Sequence, residues 1–83
     1  MTYTYKTAGV CSRLINIELD GDTVRSVRFE GGCNGNTKGI ASLVAGMNID
    51  EVIEKLEGIN CGFRGTSCPD QLAQALKEIK DNL

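Results

Sequence analysis

The sequence predicts an α+β domain, in which an N-terminal antiparallel three-stranded sheet carries about three helices packed on one face. Two observations predict this architecture. Apolar and polar residues alternate in the first third of the chain, and apolar residues recur at helical spacing in the rest. Alternation is typical of half-buried strands, whereas a 3.6-residue period is typical of amphipathic helices. Strands followed by helices favour helices layered on one sheet. We predict a single domain over residues 1–83.

Three stretches fit the strand pattern. The alternating apolar residues are Tyr3 and Tyr5 in the first stretch, and Ile15, Ile17 and Leu19 in the second. Asp20-Gly21 then predicts a hairpin turn. Residues 24–29 return as a strand rich in β-branched and aromatic side chains, which ends at Gly31 and Gly32.

Three helices are predicted in the remainder. Their buried stripes are Ile40, Leu43, Val44 and Met47 in a helix over about residues 36–47, then Ile49, Val52, Ile53 and Leu56, and last Leu72, Leu76, Ile79 and Leu83. Asn48 and Glu51 have the spacing of a capping box at the start of the second helix. Gly58 is expected to stop that helix.

The segment "TSCPD" predicts the start of the third helix at Ser67 or Cys68. Ser67 is a good cap, and Pro69 suits the first turn because its missing N–H costs nothing there. Asp70, three residues after Ser67, is expected to bond back to it as in a capping box. The helix start therefore needs no cysteine, and Cys68 is the residue that it presents.

Composition limits the classes of function. A chain of 83 residues buries a thin core. The net charge is -2 and the nine basic residues form no run, so nucleic-acid binding has no support. No apolar stretch approaches the ~18–20 residues that span a bilayer, and "MTYTYKTAGV" lacks the pattern of a signal peptide. We expect a cytoplasmic protein with no membrane contact.

The candidate functional residues are four cysteines: Cys11, Cys33, Cys61 and Cys68. Each falls at the edge of a predicted element, whereas a packing cysteine is expected on an apolar stripe. Clustered cysteines in a reducing compartment more often bind metal or perform redox chemistry than form lasting disulfides. The chain has no histidine, which removes the Cys-His and Ser-His pairs of hydrolases. A soft-metal site would have to be built from cysteine.

Three interpretations of the cysteines remain open. Their intervals of 21, 27 and 6 residues contain no CxxC, so spacing alone does not indicate a zinc finger. Four thiolates would suit a closed zinc site, and equally an iron–sulfur site. Alternatively, Cys61 and Cys68 cycle through a disulfide as a thiol-redox shuttle. We expect metal binding, with zinc preferred to an iron–sulfur cluster.

The segments "GGCNGNTKGI" and "INCGFRGTSCPDQLAQAL" resemble the TSCPD domain family, and the likeness covers essentially the whole chain from Cys11 onward. That family includes short stand-alone proteins and the C-terminal domain of adenosylcobalamin-dependent ribonucleotide reductases. The resemblance implies cysteine-based metal binding and a link to ribonucleoside-diphosphate reduction. A chain this short cannot enclose a radical cysteine, substrate and cobalamin. We therefore expect an accessory protein, not an autonomous enzyme, and its expected partner is a ribonucleotide reductase or a redox protein.

The order of features is also similar to iron–sulfur scaffolds of the NifU/IscU type. That resemblance puts three cysteines in the places of the scaffold's ligands: Cys11, Cys33 and Cys68. Arg13 stands where the scaffold has an aspartate, and Ser67 where it has a histidine. Cys61 is additional and would supply a fourth ligand. The resemblance implies a NifU/IscU-like fold and, as an alternative function, an iron–sulfur cluster scaffold or carrier.

Overall fold

The chain forms three strands followed by three helices, which confirms the predicted α+β class. In the computed structural model the described residues are 2–7, 12–31, 34–59 and 66–81. The strands are β1 (Thr2–Lys6), β2 (Ser12–Asp20) and β3 (Thr23–Gly31), and the helices are α1 (Asn34–Val44), α2 (Ile49–Leu56) and α3 (Cys68–Asp81). The strands form one antiparallel sheet in the order β1-β2-β3.

One face of the sheet is apolar and the other is polar, as the alternation predicts. The apolar face carries Tyr3, Tyr5, Ile15, Ile17, Leu19, Val24, Val27 and Phe29. On the polar face the Thr4 hydroxyl donates to the Asn16 side chain at 3.0 Å, and the Asn16 amide donates to Glu30 at 3.3 Å. Because covering polar groups costs free energy unless they find new partners, the helices pack on the apolar face.

Helix α3 supplies a large part of the core that covers this face. Its buried apolar residues are Leu72, Ala73, Ala75, Leu76 and Ile79. The predicted stripe is confirmed at Leu72, Leu76 and Ile79, while Leu83 lies outside the described residues. Fully burying one such leucine contributes roughly 1.5–3 kcal/mol. No helix in the described parts of the chain combines the length and apolarity needed to cross a membrane.

The hairpin between β2 and β3 has a two-residue loop. Asp20 pairs with Thr23, so the loop is Gly21 and Asp22, one residue later than the predicted Asp20-Gly21 dipeptide. Gly21 has φ 64°, the positive value that a type II′ turn requires at its first loop position. Glycine there closes the hairpin without strain.

A bulge in β3 changes the spacing of its inward side chains. The pairs on either side of it are Glu18–Ser26 and Leu19–Val24. Arg25 therefore has no partner across the ladder, as in other bulges where two residues face one. Val24 and Val27 are three residues apart, and both are buried as a result.

Helix α1 spans residues 34–44 rather than 36–47, and one of its predicted core residues is exposed. Its inner face consists of Thr37, Ile40, Ala41 and Val44. The prediction that Leu43 is buried is wrong, because Leu43 is 73% exposed. Successive residues are about 100° apart around a helix, so a face that includes Thr37 turns Leu43 toward solvent. The polar Thr37, which is not part of the predicted stripe, is only 5% exposed.

The end of α1 is set by the edge of the sheet. The Gly46 N–H donates to the Val24 carbonyl at 2.7 Å, and the Val24 N–H donates to the Met47 carbonyl at 2.8 Å. These bonds draw the chain out of the helix after Val44. Met47, predicted to be helical, lies beyond the helix and is partly buried against the core.

Helix α2 begins beside the hairpin. The Asn48 side chain accepts the Asp50 N–H at 2.8 Å, which confirms Asn48 as the N-cap. The Ile49 N–H donates to the Asp22 carbonyl at 2.8 Å, so this helix start is fixed to the β2–β3 loop. Gly58 has φ 84° and follows the helix, as predicted for a stop signal.

Helices α2 and α3 pack against each other in opposite directions. Lys80 near the end of α3 forms an ion pair with Asp50 at the start of α2. The Gly58 N–H, just after α2, donates to Asp70 in the first turn of α3. We call the end with Asp50 and Lys80 the hairpin end of the helix pair. The other end, formed by residues 58–59 and 66–71, is the cysteine end.

Candidate functional site

Cys68 is the one predicted ligand that the structure describes. It is the first residue of α3 and is half-buried. Cys11, Cys33 and Cys61 lie outside the described residues, so the four-cysteine set stays a prediction. Within the described ranges, no three cysteine, histidine, aspartate or glutamate side chains lie close enough together to hold a metal ion.

Ser67 caps α3 directly before Cys68, as predicted. Its Oγ accepts the Asp70 N–H at 3.1 Å, and its carbonyl accepts the Gln71 N–H at 2.8 Å. The same hydroxyl donates to the Ile59 carbonyl at 2.6 Å. The cap therefore also ties the chain that leaves α2 to the chain that enters α3.

The serine half of the predicted capping box is present, because the Asp70 N–H donates to Ser67 Oγ, whereas the Asp70 carboxylate bonds to other groups. Its Oδ1 accepts the Gly58 N–H at 2.7 Å, and its Oδ2 accepts the Thr66 hydroxyl at 2.5 Å. The carboxylate turns toward these donors because the end of α2 lies against the first turn of α3. Asp70 joins two stretches of chain and is only 6% exposed.

The environment of Asp70 keeps its carboxylate charged. Burial acts to raise its pKa, because it penalises the charged form. Hydrogen bonds from Thr66, the Gly58 N–H and Gln74, together with the positive charge of Lys77, outweigh burial and lower the pKa below its ordinary value of 3.8. Asp70 is therefore an anionic hydrogen-bond acceptor at neutral pH.

Buried polar side chains are concentrated at the cysteine end. Ser67, Asp70 and Gln71 are buried there, and the other buried polar residue in the described parts of the chain is Thr37. The Gln71 amide donates to the Thr66 hydroxyl at 3.0 Å, which connects Thr66 to both α3 residues. Every buried side-chain nitrogen or oxygen in the described ranges has a partner. A fully satisfied buried network fixes one geometry, so Cys68 sits in a rigid frame.

Sequence reasoning did not predict the roles of Gly58 and Thr66 at this site. Gly58 was expected only to stop α2, and it also donates to a residue 12 positions away. No local spacing rule predicts such a contact. The residue that could have indicated such a contact is Asp70. It is an acidic residue in the first turn of α3, and Ser67 already accepts its N–H, so its carboxylate is available to bond elsewhere.

Two shallow clefts lie elsewhere on the domain. One, of about 170 Å³, lies between β1 and α3 and is lined by Tyr3, Thr4, Tyr5, Ala75, Glu78 and Ile79. The other, of about 240 Å³, lies between β3 and α1 and is lined by Val27, Arg28, Phe29, Thr37, Lys38 and Ala41. Both are smaller than the roughly 300–1,000 Å³ typical of small-molecule sites. The cysteine end remains the candidate site.

The sheet brings together the chain neighbours of two further predicted ligands. Ser12, which follows Cys11, pairs with Gly31, which precedes Cys33 by two residues. This pair lies at the end of the β2–β3 ladder opposite the hairpin loop. Helix α1 then starts at Asn34 and runs back toward the hairpin.

Together the fold and the site define a small α+β domain with a cysteine presented by the capped start of its last helix. The chain belongs to the TSCPD domain family, whose model matches residues 1–80. Comparison with curated proteins gives no match, and neither does comparison with solved structures.

Proposed function

We propose that this protein is a small metal-binding module in which Cys11, Cys33, Cys61 and Cys68 bind zinc, or alternatively an iron–sulfur cluster. The observation that supports this best is the position of the described residues next to these cysteines. These residues lie at or beside ends of strands or helices away from the β2–β3 loop, and they are Ser12, Gly31, Ile59 and Ser67. Each of the four cysteines is therefore at, or within two residues of, a described chain position away from that loop, which supports a common site.

Chain connectivity keeps the first two cysteines close to paired residues. Cys11 is bonded directly to Ser12, and Cys33 is two residues from Gly31. Consecutive Cα atoms are about 3.8 Å apart. Directly paired residues of antiparallel strands have Cα atoms about 4.5–5.5 Å apart. Ser12 and Gly31 pair across β2 and β3 beside a register shift between Ser12 and Leu14, so Cys11 and Cys33 are joined to neighbouring ends of these strands.

A similar argument applies to the other two cysteines. The hydrogen bond from the Ser67 hydroxyl to the Ile59 carbonyl, 2.6 Å long, holds together the two flanks of residues 60–65. Cys61 is two residues after Ile59, and Cys68 directly follows Ser67. Loops closed in this way favour ligation by both of their ends, because little further chain entropy is lost.

The donor set fits the metals proposed. Cysteine thiolates are soft ligands that select zinc or iron–sulfur clusters. Four of them make a closed tetrahedral zinc site, with Zn–S distances of about 2.3 Å. A bound zinc ion would supply charge neutralisation and a cross-link between the sheet end and α3. An 83-residue domain with a thin core gains folding free energy from such a link.

Two arguments separate the finer possibilities. The four-cysteine set without histidine is equally compatible with an iron–sulfur cluster, and the similarity to NifU/IscU scaffolds favours that alternative. The likeness to the C-terminal domain of adenosylcobalamin-dependent ribonucleotide reductases favours an accessory role in ribonucleotide reduction. In that role the partner is a reductase, which supplies the radical chemistry that this chain is too small to enclose.

Elemental analysis of protein purified without oxygen tests the metal proposal. We expect one zinc per chain and little iron. The Cys68→Ser variant should lose most of the metal, since an alcohol is a far poorer ligand for zinc than a thiolate. Ser42→Ala, an exposed change on α1, is the control and should keep the metal. Wild-type protein that binds neither zinc nor iron would exclude the proposal.

The reductase link needs its own experiment. Purified module would be added to an adenosylcobalamin-dependent reductase from which the C-terminal domain has been deleted. We expect the wild-type module to raise multiple-turnover activity and the Cys68→Ser variant to leave it unchanged. A module that neither binds the truncated reductase nor changes its turnover would refute the accessory role.

A thiol-redox function is the second candidate, favoured by the bond that brings Ile59 and Ser67 together. In this reaction the thiols of Cys61 and Cys68 form a disulfide. Their two electrons and two protons pass to a partner's disulfide, which becomes two thiols. The measurement is the reduction potential of the pair, expected between about -220 and -320 mV. A potential far outside that range would exclude the shuttle.

A further inference from the structure

We infer that Asp70 is a positioning residue for the cysteine site, whose carboxylate fixes both flanks of residues 60–65 relative to Cys68. This inference rests on the proposed function, because it assigns Asp70 to the support of the predicted ligands Cys61 and Cys68. It adds a residue outside the ligand set, and its basis is geometry.

The two carboxylate oxygens of Asp70 bind on opposite sides of the same segment. Oδ1 accepts the N–H of Gly58, two residues before the segment, at 2.7 Å. Oδ2 accepts the hydroxyl of Thr66, which directly follows the segment, at 2.5 Å. One buried side chain therefore sets the distance between the point where the chain leaves α2 and the point where it enters α3.

Two more hydrogen bonds reinforce this clamp, which we define as Gly58, Thr66 and Asp70. The Gln71 amide donates to the Thr66 hydroxyl at 3.0 Å, and the Ser67 hydroxyl donates to the Ile59 carbonyl at 2.6 Å. Charged acceptors make stronger hydrogen bonds than neutral ones, so Asp70 dominates the set. Cys68 lies two residues before Asp70 in the same helical turn and shares its frame.

The packing of α2 on α3 does not depend on the clamp. Buried apolar side chains on both helices join them in the core: Val52, Leu56, Leu72 and Leu76. Two exposed ion pairs, Lys77–Glu57 and Lys80–Asp50, link the same helices at the surface. Loss of the clamp should therefore loosen the connection between Gly58 and Thr66 while the helix pair stays packed.

Zinc affinity provides the first test. The variants Asp70→Ala and Thr66→Val remove one side of the clamp each, and Asp70→Asn removes the charge with little change of shape. Zinc dissociation constants are measured by competition with a chromophoric chelator. Residues that support metal ligands typically contribute 10–100-fold to affinity, and we expect a weakening of about that size for Asp70→Ala and Thr66→Val.

Matched controls separate positioning from general stability. Asp50→Ala removes a carboxylate that joins the same two helices at the hairpin end, and should leave zinc affinity unchanged. Thr66→Ser keeps the hydroxyl that donates to Asp70 and should restore the affinity lost in Thr66→Val. A role of Thr66 in apolar packing alone would not give this rescue, because serine lacks the methyl group, and the Asp50→Ala control separates positioning from general helix-pair stability.

Proteolysis of the metal-free protein provides a test that needs no zinc. Arg64 lies within residues 60–65, and trypsin cleavage after it yields a fragment ending at that position. The cleavage rate should respond to how firmly the flanking residues Gly58 and Thr66 are held, because proteolysis tracks local opening of the chain. We expect Asp70→Ala and Thr66→Val to accelerate this cleavage by about tenfold or more, as expected when buried hydrogen bonds are lost. Asp50→Ala should cleave at the wild-type rate.

The outcomes separate the two proposals. Weaker zinc binding together with faster cleavage supports the role of Asp70. If the wild type binds no metal but the clamp variants are cleaved faster, the metal-binding proposal fails and the clamp stands. If Asp70→Ala and Thr66→Val match the wild type in both measurements, the inference is overturned. Should Asp70→Ala not fold, Thr66→Val and Asp70→Asn decide the question in the same way.

Discussion

The two ends of the α2–α3 helix pair are held together by different means. At the hairpin end, the exposed side chains of Asp50 and Lys80 form an ion pair, and Asn48 caps α2 with a single side-chain bond. At the cysteine end, two buried side chains connect the helices. Ser67 bonds to the Ile59 carbonyl after α2 and to the Asp70 N–H in the first turn of α3. Asp70 bonds to the Gly58 N–H after α2 and to the Thr66 hydroxyl just before α3. A second exposed ion pair, Lys77–Glu57, also joins the helices, and Glu57 directly precedes Gly58. The difference is that the cysteine end also has a buried polar network, formed by Ser67, Asp70 and Gln71.

This difference shows where the domain needs a fixed geometry. Exposed ion pairs typically contribute about 0–1 kcal/mol, and their side chains remain mobile. Buried polar networks cost desolvation free energy, and they are stable only when every group is paired. The domain has such a network beside Cys68, at the end where the predicted ligands are attached. We therefore expect the cysteine end to be the functional one, and four comparisons between variants test this expectation.

The largest effect is expected from the core beneath the cysteine end. Leu72 is fully buried and lies two residues after Asp70. The Leu72→Ala variant should lose about 2–5 kcal/mol of unfolding free energy, because a cavity remains where the side chain was. Leu43→Ala is the matched control, since Leu43 is exposed on α1, and should change stability by less than about 0.5 kcal/mol. Urea unfolding measures both. Equal losses of unfolding free energy in the two variants would contradict the burial of Leu72 in the core.

The next effect compares one carboxylate from each end. Asp70→Ala leaves the Gly58 N–H and the Thr66 hydroxyl without their acceptor, and should cost about 2–3 kcal/mol. Asp50→Ala breaks an exposed ion pair and should cost less than about 1 kcal/mol. Denaturant titrations of the two variants give the comparison. If Asp50→Ala proved the more damaging change, the contrast between the two ends would be reversed.

The helix caps give a smaller difference of the same kind. Loss of a capping side chain typically costs about 0.5–2 kcal/mol. Ser67 makes two side-chain hydrogen bonds and Asn48 makes one to α2, so Ser67→Ala should cost more than Asn48→Ala within that range. Thermal unfolding of both variants at one protein concentration measures the order. An Asn48→Ala variant with the lower melting temperature would contradict it.

The smallest expected effect is on the pH dependence of stability. The pKa of Asp70 is lower in the folded state than its ordinary value of 3.8, so its stabilising contribution is complete above that value. The contribution is lost as the pH falls through the lower folded-state pKa. Urea unfolding of the metal-free protein between about pH 6 and about pH 2 should therefore show a steeper acid loss for wild type than for Asp70→Asn. Parallel curves would remove Asp70 from the acid response.

The sequence pattern predicted the sheet and most of the core because local periodicity determines them. Ile15 and Ile17 alternate with polar neighbours, and a strand with one buried face requires that alternation. Leu43 was mispredicted because the inner face of α1 includes a threonine, and a hydrophobic pattern does not count Thr37 as buried. The caps at Asn48 and Ser67 were predictable, since a cap is a local interaction.

The site was predictable only in part. The start of α3 at Cys68 follows from local capping rules. The partners of Asp70 do not, because Gly58 is brought to it by the antiparallel packing of two helices. Local rules predict that an acidic residue in that position completes a capping box. In the folded domain the Asp70 carboxylate accepts hydrogen bonds from Gly58 and Thr66 instead. Long-range contacts of this kind depend on the whole fold.

X-ray absorption at the zinc edge of protein purified without oxygen tests the central claim most directly, since it identifies the metal and its ligands together. We predict one zinc per chain with four sulfur ligands at about 2.3 Å. A ligand shell dominated by oxygen or nitrogen, or a preparation with neither zinc nor iron bound, would contradict the assignment of Cys11, Cys33, Cys61 and Cys68 as ligands.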